Sequence, residues 1–320
     1  MAQHFLLSTA ARSLSLAKVA RMSDEEAFEA FRCIRWASTE GKPVCPHCDH
    51  DEAYTFKARN IFKCKACKKQ FSVTSGSIFA DRKLPIRDYL LAIAIFVNGA
   101  KGYSMLQLSR DLDISYKSAF VLAHKLREAM AAEQQSEELL TGDVELDGGY
   151  FGGHIRPANH KKNRIDRRRA EYQTGKRQVV VVMRERTGRT FTRVFKSEGA
   201  SVPHIAQYVD PAATVYADEA AHWDALHARF LTKRVNHQQS YSNGEACTNQ
   251  AESFFSRLRR AEVGTHHHIS GKYLSAYAME MAWREDRRRT SNGEQFLAVT
   301  HAALSHPISN QWKDYWSKRT

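Results

Sequence analysis

Three short acidic segments carry the clearest chemical signal in this sequence. Two of them have the pattern of apolar strands that end in a carboxylate, at Asp147 and at Asp218. The third has the pattern of a helix that carries Glu252. Carboxylates held close together on rigid elements can bind a pair of divalent metal ions, which clamp the attacking and leaving oxygens of a phosphodiester. The three acids are therefore candidate ligands of a site for phosphoryl transfer.

The first segment lies on a strand whose two faces differ. Acidic and apolar residues alternate over 143–147, so Asp143, Glu145 and Asp147 share one face. For Asp143, a position on a solvent-exposed strand face is a sufficient explanation. Asp147 differs because a glycine-rich run over 148–153 follows it. Glycines in a strand allow a backbone or a ligand to come close, which favours Asp147 as the site residue.

The second segment places an acid at the end of a buried strand. Asp218 follows the apolar residues of 214–217 at the carboxyl edge, where α/β sheets usually bind ligands. Its neighbour Glu219 is a rival, but strand alternation turns Glu219 to the opposite face.

The third segment is an amphipathic helix. Glu252 borders its apolar stripe, and Asn249 lies one turn earlier on the same face. A surface ion pair with Arg259 is the simpler reading of Glu252 taken alone. The ordered set of three acids favours the site instead, with Asn249 as its neighbour.

Composition bounds the partners of the protein. The 320 residues are enough for two or three domains, and a formal net charge of +13 favours a polyanion such as nucleic acid or an anionic membrane surface. No apolar run approaches the length that spans a bilayer.

Four of the six cysteines fall in one tight pattern, while Cys33 and Cys247 stand alone. This usage indicates a reducing cytoplasm and excludes a secreted disulfide framework.

The clustered cysteines have the spacing of a zinc site. Two C-x2-C pairs, separated by fifteen residues, can supply four thiolates to one ion. Short strands over 54–57 and 61–63 fit between the pairs, as in a zinc ribbon. A redox pair or an iron–sulfur cluster is the alternative, which the basic flanks disfavour. The predicted zinc ligands are Cys45, Cys48, Cys64 and Cys67.

A helical stretch follows the cysteines. Two helices over 105–112 and 115–131, joined by a tight turn, match a helix-turn-helix. In that motif the start of the second helix reads base edges, which assigns DNA contact to Ser115, Tyr116 and Lys117. An ordinary helical hairpin is the alternative.

Strand and helix signals alternate in the rest of the chain, which predicts an α/β domain. A basic insert over 154–177 separates the first two strands. The predicted strands cover 143–150, 178–185, 189–197, 213–218 and 232–236. The predicted helices cover 201–209, 221–230, 247–261 and 271–289.

Taken together, these motifs resemble the IS1595-type (ISXO2-like) transposases of insertion sequences, over nearly the whole chain. The cysteine spacing and the run Gly264-Thr265-His266-His267-His268-Ile269-Ser270 are the specific features. The acidic motifs that also match are Glu145-x-Asp147, Asp218-Glu219 and Asn249-x-x-Glu252. Two positions depart from the pattern: Gly148 stands where similar proteins often have a second acid, and Trp223 where a tyrosine is usual.

The resemblance implies an RNase H-like fold and a DDE triad of Asp147, Asp218 and Glu252. It implies Mg²⁺ or Mn²⁺ as the catalytic ions, besides the structural Zn²⁺. The expected substrates are double-stranded DNA, namely the inverted-repeat ends of an element and its target. We therefore expect a DNA-associated protein of the bacterial cytoplasm that acts as a homo-oligomer on DNA, with no membrane partner.

The expected organisation has five segments. They are an N-terminal helical segment (1–40), a zinc ribbon (41–75), a helix-turn-helix DNA-binding domain (80–135), an RNase H-like catalytic domain (140–290) and a C-terminal helical tail (291–320).

Two further groups of residues are assigned to DNA. The arginines Arg167, Arg168 and Arg169 are expected to bind phosphates without reading sequence, with a solvated loop as the alternative. His266 and His267 are assigned to DNA contact, with satisfied turn histidines as the alternative. Two functions compete with transposition: a structure-specific nuclease of RNase H type, and a zinc-ribbon regulator whose C-terminal domain only dimerises.

Overall fold

The protein is described by a computed structural model, which covers residues 5–134, 138–152, 160–165, 175–235 and 247–319. The chain divides into two compact units. Unit 1 combines Met1–Glu133 with Arg287–Thr320, and unit 2 is the stretch between them, Gln134–Asp286. Each unit is described by itself below.

Unit 1 begins with helices α1 (Leu16–Ala20) and α2 (Asp24–Arg35). Ser23 and Glu26 have the spacing that predicts a capping box at the start of α2. The structure contains it: the Ser23 hydroxyl accepts the backbone N–H of Glu26, and the Glu26 carboxylate accepts the N–H of Ser23. This capping box satisfies two N–H groups that a helix start otherwise leaves without a carbonyl partner. The apolar face of α2, including Phe31, is buried.

A small antiparallel sheet follows α2, with strands β1 (Ala53–Phe56), β2 (Ile61–Cys64) and β3 (Gln70–Ser72) in that order. Phe62 of β2 is buried and packs edge-on against Trp36 at the end of α2, with ring centroids 5.5 Å apart. The sheet is therefore attached to the helix before it.

Three helices complete this half of unit 1: α3 (Ile86–Asn98), α4 (Met105–Asp111) and α5 (Tyr116–Gln134). Helix α3 is rich in apolar residues, and most of its side chains are buried in the protein. None of the helices in the described ranges has the length and apolar character needed to cross a membrane.

Unit 2 is built on a mixed sheet of five described strands. They are β4 (Asp143–Phe151), β5 (Gln178–Glu185), β6 (Thr190–Phe195), β7 (Thr214–Asp218) and β8 (Leu231–Val235). The spatial order is β6-β5-β4-β7-β8. The β4–β5 and β5–β6 pairs are antiparallel, whereas β7 runs parallel to both β4 and β8.

One face of this sheet carries the main core of unit 2. Helix α6 (Val202–Ile205) and a 3-10 segment (Ala221–Ala228) contribute to the same apolar cluster as Val144 and Leu146 of β4. Trp223, the departure from the family pattern, is buried in this cluster. Its ring therefore has a packing role.

The other face carries helices α7 (Asn249–Ala261) and α8 (Leu274–Asp286). Side chains alternate along a strand, so the face of β4 opposite Val144 and Leu146 presents residues 145, 147 and 149 to this side. The predicted acid of the first segment thus lies on the same side of the sheet as α7.

The chain then returns to unit 1 as α9 (Asn292–Ser305), which packs on α2 and α3. Ser291 and Glu294 form a second capping box at its start. Beyond α9, an aromatic segment lies against α5. The rings of Trp312, Tyr315 and Trp316 all have centroids within 6 Å of the Phe120 ring.

Three predicted elements differ from the structure. The helix expected over 201–209 is α-helical only in α6, because the backbone around Val209 bonds to Leu140 as an isolated β-bridge. The segment expected as a helix over 221–230 is a 3-10 helix. Strand β3 was not expected, since three residues are too few to show an alternating pattern.

Candidate active site and zinc site

Two of the predicted acids lie on neighbouring strands at the same level. Strands β4 and β7 pair in parallel, with Asp143 opposite Thr214 and Glu145 opposite Tyr216. Continuing this register places Asp147 level with Asp218. Paired strands run about 4.8 Å apart, so the two backbones are neighbours where these acids project.

Helix α7 is held against β4 at two points. The Glu145 carboxylate accepts the backbone N–H groups of Gln250 and Ala251, at 2.8 and 3.1 Å, in the first turn of the helix. Further along, a Cβ added at Gly149 would lie 2.5 Å from ring carbons of Phe255. The glycine therefore lets the helix approach the strand closely, as the sequence predicted for this run.

These two contacts bracket the third acid. Asp147 lies between Glu145 and Gly149 on the strand, and Glu252 lies between the contacting residues of the helix. Glu252 is half-buried, and its charge acts on Asp147. The strand and the helix therefore bring Glu252 to the side of the sheet where Asp147 lies.

The pKa of Asp147 reflects its burial and the other acids nearby. Burial, with the neighbouring charges of Asp218, Glu252 and Glu198, raises the pKa of Asp147 to about 7, although the Gly148 N–H donates to its carboxylate at 2.7 Å. Like charges near one another disfavour ionisation unless a cation compensates for them. The cluster has the character of a cation site.

The residues beside the predicted ligands are more exposed than the ligands themselves. Asn249 is the exposed first residue of α7, one turn before Glu252. Glu219, the rival of Asp218, is exposed. Asp218 itself is half-buried, and its carboxylate accepts the N–H of Ala220 at 3.1 Å, which closes the turn after β7.

The sequence reasoning missed a fourth acid in this cluster. Glu198 follows β6, and burial together with the charge of Asp218 raises its pKa to about 7, against the opposing effect of Arg177. Its carboxylate lies 3.2 Å from Nε2 of His222. An acid shortly after a strand was the signal used for the other two strand acids, and it was also present here.

Glu145 is a buried acid with a structural part in the site. Besides the two helix N–H groups, its carboxylate accepts the Nε–H of Arg186 at 3.1 Å. The same guanidinium lies over the Tyr216 ring, 3.8 Å from the centroid, and donates to the carbonyl of Cys247 at 3.0 Å. One ion pair therefore joins β4, β5, β7 and the segment that leads into α7.

The four predicted zinc ligands are brought together in unit 1. All four sulfur atoms lie within 4.8 Å of one another, and two of the sulfur pairs are 3.6 Å apart. A tetrahedron with Zn–S bonds of roughly 2.3 Å has sulfur atoms about 3.8 Å apart, so the set fits one ion. In the described ranges, no other group of His, Cys, Asp or Glu ligand atoms is this compact. The set is Cys45, Cys48, Cys64 and Cys67.

The residues assigned to DNA lie in different places. Ser115, Tyr116 and Lys117 are exposed at the start of α5. His266 is half-buried and packs edge-on against Tyr277, which favours its structural reading, whereas His267 is exposed. The arginines Arg167, Arg168 and Arg169 lie outside the described residues.

Comparison with known proteins identifies both modules. A model of the ISXO2-like transposase domain matches residues 139–286, and a model of the transposase zinc-ribbon domain matches residues 22–70. An uncharacterized protein in the transposable element ISH50 of Halobacterium salinarum is 24% identical over 298 residues, which cover 88% of this chain and 98% of that protein.

The two matches show a transposase zinc-ribbon module followed by a mixed α/β transposase domain of the DDE class. Over 139–286 that domain is of the ISXO2-like family of the IS1595 group, which confirms the resemblance drawn from the motifs.

Proposed function

We propose that this protein is the transposase of an insertion element, which binds the inverted-repeat ends and catalyses metal-dependent cleavage and strand transfer of DNA. The observation that carries the proposal is the proximity of three acids, because the charges of Asp218 on β7 and Glu252 on α7 act on Asp147 of the adjacent strand β4. Two strands and a helix hold them, so their spacing does not depend on loops.

The donor set fits hard divalent cations. Carboxylate oxygens are the protein ligands that Mg²⁺ and Mn²⁺ prefer, and Asp147, Asp218 and Glu252 would hold the ions. When bound, such ions supply Lewis acidity to a phosphodiester and generate a nucleophile at neutral pH. Burial, together with the like charges of the neighbouring acids, raises the pKa of Asp147, and a bound cation would stabilise its ionised form.

Catalysis also requires the scissile DNA to be held beside these acids. A cavity of about 460 Å³ opens where β4 ends and β5 begins, lined in part by Lys176, Arg177 and Lys196. The guanidinium of Arg177 stacks on Tyr150, 4.7 Å from the ring centroid. These cations would bind phosphates and set the position of the strand without reading its sequence.

Sequence recognition is assigned to unit 1. Helices α4 and α5 meet at a tight turn in which Asp113 has a φ of 49° and the N–H of Ile114 donates to the Ser109 carbonyl. We propose that they form a helix-turn-helix whose second helix presents Ser115, Tyr116 and Lys117 to bases. The zinc ribbon would bind DNA beside it.

The finer organisation is part of the same proposal. Unit 2 would be the RNase H-like catalytic domain over 140–290, following the zinc ribbon (41–75) and the helix-turn-helix domain (80–135). Three antiparallel strands followed by two parallel ones, with Asp147 within β4 and Asp218 at the end of β7, support this fold. Oligomerisation would bring two element ends together.

The test is a strand-transfer reaction with the full, zinc-loaded chain, Mg²⁺ and a labelled duplex that carries an inverted repeat of the element. Asp147→Asn and Asp218→Asn should reduce joining to target DNA by about a hundredfold or more, while DNA binding persists. Glu219→Gln, next to Asp218 but exposed, is the matched control and should stay active. Joining at the native rate by Asp147→Asn contradicts the proposal, and cleavage without joining by the native chain indicates a nuclease.

A further inference from the structure

The three-stranded sheet of unit 1 has two unlike faces. On one face Phe62 is buried and packs against Trp36. Thr55 of β1 pairs with Phe62, so strand alternation turns Tyr54 and Phe56 to the opposite face. There Tyr54 is 55% exposed and Phe56 is 39% exposed. Two neighbouring exposed rings, unlike an isolated apolar side chain, indicate a contact surface.

The sheet that carries these rings is strongly basic. From 53 to 72 the sequence has five lysines and one arginine, and no aspartate or glutamate. Lys63 of β2 is opposite Tyr54 in the strand register, so its side chain lies on the same face, beside that ring. A surface of this charge is complementary to a polyanion.

Each of the two rings has a cation next to it. The Arg59 guanidinium lies 5.9 Å from the centroid of the Phe56 ring, and the Lys65 ammonium lies 5.6 Å from the centroid of the Tyr54 ring. Lys65 also pairs with Glu52 at 3.2 Å, which holds it beside the sheet. The face therefore combines flat apolar surfaces with adjacent positive charges.

We propose that this face of the ribbon binds single-stranded DNA, with Tyr54 and Phe56 stacking on unpaired bases and Lys63 and Arg59 binding phosphates. Bases in a duplex stack on one another, whereas an unpaired base of any identity presents a π-face to an aromatic ring. Alternate residues of a strand are ~7 Å apart, so each ring can take a separate base.

The proposed reaction supplies such nucleotides, because strand cleavage frees an end that can leave the duplex. The inference rests on the part of the proposed function that gives the ribbon a DNA contact, and it narrows that contact to unpaired nucleotides.

A comparison of two probes tests the proposal on the full, zinc-loaded native chain. One is a short oligothymidylate, and the other is an abasic oligonucleotide of the same length, which has the phosphates and sugars without the bases. Fluorescence anisotropy should show oligothymidylate binding about tenfold or more tighter, because only this probe can stack on the rings. Equal affinity for the two probes overturns the inference.

Ring variants locate the preference for bases. The double variant Tyr54→Leu with Phe56→Leu keeps apolar bulk but has no rings, so it should bind oligothymidylate no better than the abasic probe. Tyr54→Phe keeps the ring and should retain the preference. Thr55→Ala, between the rings but on the other face, is the matched control. A double variant that keeps its zinc and the native preference contradicts the proposal.

A charge variant separates phosphate binding from stacking. Lys63→Gln should weaken binding of both probes by a similar factor and reduce the salt dependence, since a phosphate contact does not depend on the base. Loss of the preference for bases in Lys63→Gln, with unchanged binding of the abasic probe, would contradict the role given to Lys63.

Further ligands separate the inference from the proposed function. A native chain that performs strand transfer but does not distinguish the two probes refutes the inference alone. A chain that binds neither an inverted-repeat duplex nor oligothymidylate fails the proposed function as well. Tighter binding of oligouridylate than of oligothymidylate would contradict the assignment to DNA.

Discussion

At the scale of single residues, Glu145 shows how a buried charge can organise a site that it does not enter. Its carboxylate is almost fully buried and accepts two N–H groups of the first turn of α7 together with the guanidinium of Arg186. Negative charge at a helix start is favourable, because the unpaired N–H groups and the helix dipole both point toward it. The position of Glu252 therefore depends on an acid two residues before Asp147.

We predict that Glu145→Gln loosens α7. The amide removes the charge that faces Arg186, and breaking a buried pair costs about 3 kcal/mol. Hydrogen–deuterium exchange across 249–261 should accelerate in the full chain. Asp143→Asn is the matched control: Asp143 faces the same arginine at 3.7 Å but is 47% exposed, so its loss should cost less than about 1 kcal/mol. Equal exchange in the two variants would show that the buried carboxylate does not hold the helix.

At the scale of elements, close approach between β4 and α7 is what lets a strand and a helix share a site. Gly149 makes the approach possible, since Phe255 occupies the place of its missing side chain. The adjacent Gly148 does the same for Glu198. Both glycines serve contacts between elements that are distant in the sequence.

We predict that Gly149→Ala moves α7 outward and weakens the site. The added methyl group would meet a buried ring at 2.5 Å, and such overpacking costs about 1–3 kcal/mol. Thermal unfolding and Mn²⁺ binding both measure the effect. Gly264→Ala is the control, because a Cβ there meets nothing within 4 Å. Recovery in the double variant Gly149→Ala with Phe255→Leu would assign the effect to this contact.

We also predict that the ribbon of β1, β2 and β3 unfolds without zinc. The four cysteine sulfur atoms lie within 4.8 Å of one another, and an ion that they bind together would contribute directly to folding. Cys45→Ser or a chelator should remove one zinc per chain and expose 41–75 to proteolysis. Cys33→Ser, at an exposed cysteine outside the cluster, should retain the zinc. Protection of 41–75 after zinc removal would contradict the prediction.

Elements with strong periodicity or caps could be predicted from the sequence, and contacts between distant elements could not. The capping box of Ser23 and Glu26 was readable because its two residues are neighbours in the chain. The strand end at Asp218 was readable from local pattern, whereas β4 continues past Asp147 to Phe151, and the use of both acids as metal ligands stays a prediction. Glu198 had the same local signal, an acid shortly after a strand, and was overlooked, whereas the buried state of Glu145 depends on which elements meet and no local pattern contains that information.

At the scale of the whole molecule, unit 2 is inserted between two parts of unit 1. The chain passes from unit 1 into unit 2 after Glu133 and returns after Asp286. Within unit 1, Arg287 pairs with Glu133, and within unit 2, Gln134 donates to Asp286 at 3.1 Å. Helix α5 and the aromatic residues that pack on it therefore lie on opposite sides of the insertion in the sequence.

We predict that deleting the chain from Ser309 onward abolishes DNA binding without impairing the cation site. The deletion removes Trp312 and Tyr315, which are buried, and loss of one such ring typically costs about 3–5 kcal/mol. Gel-shift binding and Mn²⁺ calorimetry report the two properties separately. Deletion from Ser317 onward keeps the rings and is the control. Normal gel shifts after the longer deletion would show that the aromatic segment is dispensable.

The insertion also sets an order of events on the ribosome. Synthesis proceeds from the N-terminus, so every strand of the unit 2 sheet has emerged before α9 and the three aromatic rings exist. A nascent chain can complete unit 2 while unit 1 is still unfinished. If the proposed function holds, premature termination in this stretch would release a protein with an assembled cation site and an incomplete DNA-binding unit.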